Sequence, residues 1–109
     1  SGAAAANALG LTTQVPVKSV YLTSGQSRVL NLGRQAVELR HAPRWQLALG
    51  SKTSGQAVRA LAWLGPDEAP KALQILRSKL TETAKTELMS AAPQFPTWLA
   101  LLIGKMVHG

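Results

Sequence analysis

The sequence predicts an α+β domain: an N-terminal helix, a small antiparallel β-sheet with a basic hairpin, and a C-terminal helical bundle. Three observations lead there. The chain opens on an alanine-rich run. A stretch rich in β-formers and turn residues follows between Thr12 and Arg44, and from Thr53 onward apolar residues recur at three- and four-residue spacing. Strands grouped together and then helices grouped together indicate α+β rather than alternating βαβ units.

Ser1 can cap a first helix over Gly2 to Leu9, where alanine gives high helix propensity and Gly10 supplies the stop. Lys18 to Thr23 reads as a strand, Ser24-Gly25-Gln26 as a turn, and Arg28 to Leu32 as the next strand. A two-residue loop at Gly33-Arg34, with glycine first as a type II′ turn prefers, places Leu32 opposite Gln35, Leu30 opposite Val37 and Arg28 opposite Leu39. One face then holds Leu30, Leu32, Val37 and Leu39 and is expected on the core. The other holds Val29, Asn31, Ala36, Glu38 and Arg40 and is expected in water, with Arg34 at the tip.

After Pro43 a short helical piece runs through Trp45 and Leu49 into the linker-like Gly50-Ser51-Lys52. Thr53 and Gln56 form a capping-box pair for a helix whose apolar stripe is Val58, Leu61 and Leu64 and which Gly65-Pro66 stops. Pro70 suits the first turn of a helix with Leu73, Leu76 and Leu80 inward. Thr81 opens another with Ala84, Leu88 and Ala91 inward, ended by Pro93, and Pro96 starts the last one, Thr97 to Val107. The 109 residues read as one domain, with helix and sheet over 1–43 and a helical part over 44–109.

Twelve Lys and Arg against five Asp and Glu give a net charge of +7, which favours nucleic acid, an anionic surface or an acidic protein as partner. The absence of cysteine removes disulfides and thiolate chemistry, and fits a reducing, cytoplasmic compartment. The chain starts Ser1-Gly2 without an initiator Met, and its alanine run lacks the basic flank and long apolar core of a signal peptide, so a piece of a longer protein is expected. Trp98 to Val107 is far short of the roughly 20 residues a membrane span needs. No membrane partner is expected.

Gly50-Ser51-Lys52-Thr53 is not a phosphate loop, because that loop needs glycine directly before the lysine, where Ser51 stands. His41 reads as a half-buried structural histidine and His108 as a terminal one. Two histidines and five scattered acids offer no metal-ligand spacing, no cofactor motif and no nucleophile elbow, so neither metal nor cofactor nor enzymatic activity is expected. Lys18, Arg28, Arg34, Arg40 and Arg44 stand against a single acid, Glu38, in the strand block. These cations either solubilise an edge hairpin or contact phosphates, for which the bidentate arginine fork is well suited. Tyr21 is the one aromatic in that sheet, too few for a base-stacking platform. Trp63 lies four residues after Arg59 on one helix, the spacing of a local cation-π pair. In the last helix Lys105 is the one charge between Thr97 and Val107; Trp98, Leu101, Leu102 and Met106 are therefore candidates for a protein interface or self-association.

With these residues in place, SGAAAANALGL followed by TTQVP, VYLTSG, SR, the LGR turn and LRHAP resembles the C-terminal region of the AbiE-type antitoxins of bacterial type IV, abortive-infection toxin-antitoxin systems. The resemblance covers most of Ser1 to Pro43 and continues more loosely through Trp63-Leu64-Gly65 and the final helices. It implies a winged helix-turn-helix DNA-binding domain before Ser1. It also implies a role as antitoxin and autorepressor, opposing a nucleotidyltransferase-type toxin. It carries no catalytic residues to this chain. The expectation is a non-enzymatic transcriptional regulator domain with weak phosphate contacts to DNA. The alternative is a protein-interaction or dimerisation module whose charge serves solubility.

Overall fold

A computed structural model describes residues 1–13 and 19–109. It has the expected α+β order: α1 (Gly2–Ala8), strands β1 (Ser19–Thr23), β2 (Arg28–Leu32) and β3 (Gln35–His41), then α2 (Arg44–Leu47), α3 (Thr53–Glu68), α4 (Leu73–Lys79), α5 (Glu82–Ala91) and α6 (Thr97–His108). No helix among the described residues is long and apolar enough to cross a membrane.

Helix α1 begins as its sequence suggests, with Ala4 N–H donating to Ser1 Oγ at 3.2 Å. It ends in a Schellman closure. Gly10 takes a φ of +72°, Leu11 N–H reaches back to the Ala6 carbonyl at 2.8 Å and Gly10 N–H to that of Asn7 at 3.0 Å. Lys79 Nζ, from α4, donates to the Leu9 carbonyl at 2.8 Å, so a cation from the far helix completes the negative end of α1.

The hairpin has the expected register, with Leu32 paired to Gln35, Leu30 to Val37 and Arg28 to Leu39. Gly33 has a φ of +63° while among the described residues no non-glycine φ is positive, as a type II′ turn led by glycine requires. Gly33→Ala has open space for its Cβ, so its cost is backbone strain alone. A loss of about 1 kcal/mol in denaturant unfolding is expected, and an unchanged midpoint would count against this turn.

Two expectations about the sheet are corrected. It is mixed, not wholly antiparallel: the order is β1-β3-β2, and β1 runs parallel to β3, with Tyr21 beside Leu39 and Thr23 beside His41. The 24–27 connection therefore crosses the end of β3 instead of folding back as a hairpin, and His41 clasps it. Its N–H donates to Ser27 Oγ at 2.8 Å, and its Nδ1 lies 2.9 Å from the Gly25 carbonyl. A carbonyl only accepts, so Nδ1 carries the proton and the ring's role is structural. His41 is exposed, not half-buried.

The second correction concerns which face meets the helices. Val20, Leu22 and Arg40 line the cleft toward α1 and α3. By strand alternation, Tyr21, Leu30, Leu32, Val37 and Leu39 point the other way. Leu32 is 60% and Tyr21 59% exposed. The expected core face is thus turned away from the helices, where Leu30, Val37 and Leu39 are half-buried and Leu32 is exposed, while Val29 on the opposite face is 61% exposed; no described strand residue is buried. Hairpin alternation fixes which side chains share a face. The choice of inner face falls to Val20 and Leu22 on β1.

The core is helical. Leu61, Leu76, Leu88, Leu99 and Ile103 are its largest fully buried side chains beside Val58; those of α3 to α5 come from the stripes that periodicity identifies, while Leu99 and Ile103 lie on α6, whose apolar sequence does not single out an inner face. The Thr53–Gln56 capping box does not form. Lys52 is the N-cap of α3 and makes no side-chain cap bond. Glu87 of α5 approaches that end instead, accepting from the buried Ser54 Oγ at 3.3 Å and pairing with Lys52 Nζ at 2.9 Å. A carboxylate at the positive end of the helix does by tertiary contact what the local pair was expected to do. Gly65, at φ +81° and ψ 173°, breaks α3 at the predicted stop, and the chain turns through Pro66 into a 3-10 turn, Ala69–Ala72, before α4. Thr81 caps α5, its Oγ1 accepting from Ala84 N–H at 3.1 Å. At the far end of α6, Arg77 donates to the carbonyls of Met106 and Lys105 at 3.3 and 2.7 Å.

Candidate nucleic-acid interface

The four described arginines of the strand block do not share one face. Lys18 lies outside the described residues. Arg28 opens β2 on the face turned away from the helices, and Arg34 stands at the hairpin tip. Both are exposed, one at the start of a five-residue strand of roughly 16 Å at about 3.3 Å per residue and the other in the turn beyond its far end. That separation exceeds the Debye length of about 10 Å, so the two charges barely repel and would meet separate phosphates. Arg40 is on the opposite, inner face. Its Nε and Nη2 donate to Glu38 Oε1 at 3.2 and 3.1 Å. Arg44 starts α2, beyond the sheet, beside a second hollow next to His41 and Leu47. Among the described residues no ion pair engages Arg28, Arg34 or Arg44.

Behind the sheet lies a cleft of 380 Å³ between its inner face and helices α1 and α3. Val20, Leu22 and Ala62 supply an apolar wall, Arg40 and Arg59 two guanidinium groups, and Trp63 an indole that is partly in solvent. Arg59 Nη1 donates to the Gln46 carbonyl at 3.2 Å. Burial pushes its guanidinium below the ordinary value, because desolvation disfavours the cation. Helix α1 closes one side so tightly that a Cβ on Gly2 would lie 2.6 Å from Trp63 Cβ and 2.7 Å from the Arg59 carbonyl. Sequence reasoning placed Arg59 and Trp63 together on one helix face but missed the cleft. The signal was their four-residue spacing, and it does not reveal that a sheet stands opposite.

The candidate protein-interface residues on α6 separate in the same way. Leu102 and Met106 belong to the core of the chain itself, Trp98 packs half-buried against that core, and Leu101 alone of the four points outward, 66% exposed. Among the described residues no group of His, Asp or Glu could hold a metal ion.

Among known protein families, DUF6088, a family of unknown function, matches residues 1–88. The chain belongs to DUF6088. No curated protein and no solved structure matches it. The DUF6088 match runs from α1 through the sheet and the cleft to Leu88 in α5. The matched span therefore covers the positions of both the projecting arginines and the cleft behind them.

Proposed function

We propose that this DUF6088 chain is a non-enzymatic, cytoplasmic regulator domain of the antitoxin type, whose sheet meets the phosphate backbone of nucleic acid through Arg28 and Arg34. The observation that supports the reading most is the placement of these two side chains on a sheet that stands outside the helical core, without a carboxylate on either. Arginine forks held clear of the protein's own acids lose little on transfer to phosphate oxygens. The net charge of +7 adds long-range attraction. The resemblance to AbiE-type antitoxins supports autorepression as the role and a nucleotidyltransferase-type toxin as the counterpart. In this reading the sheet adds sequence-independent contacts to a DNA-binding domain elsewhere in the protein.

Duplex DNA should be shifted by the chain at low salt and released at moderate salt, with a log-log slope of about 0.9 per phosphate contacted. Arg28→Ala with Arg34→Ala should lower that slope by about 2 and leave unfolding unchanged within about 0.5 kcal/mol, since both side chains are exposed. Binding that is indifferent to salt, or that survives the double substitution intact, would remove the phosphate reading.

A second reading, a protein-interaction or dimerisation module, is favoured by the row of Tyr21, Leu30, Leu32, Val37 and Leu39 on the face turned away from the helices, of which Tyr21 and Leu32 are mostly exposed and the other three half-buried. Apolar side chains gathered on one sheet face are a common mark of a partner surface. Under it, duplex is not shifted even at low salt, and the chain sediments with concentration-dependent mass that Leu32→Glu abolishes.

A further inference from the structure

We propose that the cleft between the inner face of the sheet and helices α1 and α3 binds a flat ring carrying a phosphate, with Arg59 and Arg40 on the phosphate and Trp63 against the ring. A nucleoside monophosphate is the probe that matches this chemistry.

The argument begins with an imbalance of charge. Arg59 is half-buried, and among the described residues its partner is a neutral carbonyl, that of Gln46, at 3.2 Å. A partly desolvated guanidinium without a carboxylate is costly in isolation and gains when an anion arrives. Arg40 approaches from the sheet. Glu38 holds it through one oxygen by Nε and Nη2, which leaves Nη1 to donate elsewhere. Among the described residues no carboxylate lines the cleft. Two planar forks from opposite walls suit the three oxygens of a phosphate, where a single lysine would offer only a point charge.

The remaining walls are apolar and set the rest of the ligand. Val20 and Leu22 from β1 face Ala62 and Trp63 from α3. The indole is 41% exposed, although its base is pinned against Gly2. Its attachment is rigid and part of its ring is open, which is what a stacking surface requires. A volume of 380 Å³ lies in the range of small-ligand sites and is far too small for a duplex. The same chemistry is offered by a free mononucleotide and by the phosphorylated end of a single strand. The probes below tell them apart.

The 109-residue chain is titrated with AMP, adenosine, inorganic phosphate and a short 5′-phosphorylated single strand, followed by calorimetry and indole fluorescence. AMP is expected to bind more tightly than adenosine or phosphate, with quenching that Trp63→Leu removes. Arg59→Gln should weaken AMP about tenfold or more, and Arg40→Gln should weaken it independently should Arg59→Gln disturb the fold. Arg28→Ala with Arg34→Ala, the pair expected to weaken duplex binding, should leave AMP binding unchanged. Failure of the duplex reading is therefore distinguishable from failure of this one. Binding of the phosphorylated strand without AMP, still dependent on Arg59, would assign the site to strand ends. No binding of either at millimolar concentration, or equal binding by the Arg59 and Arg40 variants, overturns the proposal.

Discussion

Leu99→Ala is expected to lower the unfolding free energy by about 2–5 kcal/mol, the range for emptying a fully enclosed leucine site, while Leu101→Ala two positions on should change it by no more than about 0.5 kcal/mol. Leu99 is completely buried, and it shares one face of α6 with Leu102, Ile103 and Met106 at the spacing of one helical stripe. Leu101, Lys105 and His108 occupy the outer side. Composition alone treats Leu99 and Leu101 alike, so the contrast measures packing and nothing else. Equal losses in the two variants would mean that α6 is covered on both sides in solution, the condition for the partner surface that its apolar sequence suggests. In that case Leu101→Glu should dissociate an assembly visible by sedimentation.

Most of the helical part was legible because each inward stripe is carried by several residues at once. Leu61, Leu76 and Leu88 are read from periodicity and are fully buried. The hairpin was legible for a different reason: Gly33 has a backbone requirement, and one turn residue sets the pairing of ten others. The parallel insertion of β3 between β1 and β2 was not legible, since nothing local distinguishes a crossing loop from a hairpin turn at Ser24-Gly25-Gln26. What closes it is His41 from sixteen residues away. The inner face of the sheet was also hidden. The hairpin has more apolar side chains on the face turned away from the helices, and the helices take the side offered by Val20 and Leu22. The charged residues show the same limit. Arg28 and Arg40 are equivalent in composition, but strand parity sends one outward and the other into the cleft beside Arg59, a residue from another element.

Gly55→Ala and Gly104→Ala should move stability in opposite directions, although helix propensity alone predicts a gain of about 0.5–1 kcal/mol for both. Gly104 lies inside α6 with open space around the position of a new Cβ, so the propensity gain should be realised. Gly55 is buried in the first turn of α3, where a Cβ would overlap the Gly50 carbonyl oxygen and stand 3.1 Å from the carbonyl of Leu49. Those neighbours are backbone, held by Gly50 N–H on the Leu47 carbonyl at 3.0 Å and by the left-handed φ of +58° at Gly50. They cannot swing aside as a flexible side chain would. The turn between α2 and α3 must be displaced as a unit, and overpacking of this kind costs about 1–3 kcal/mol, more for Gly55→Val. The displacement would pull on Leu49 and Trp45, both packed against the core. It would loosen the edge-on contact of Trp45 with Phe95, whose centroids are 6.1 Å apart. Denaturant melts give the signs, and the near-ultraviolet dichroism of Trp45 reports the local shift. If Gly55→Ala is as stable as the parent, the chain between α2 and α3 does not lie on α3, and the placement of α2 that brings the Gln46 carbonyl to Arg59 falls with it.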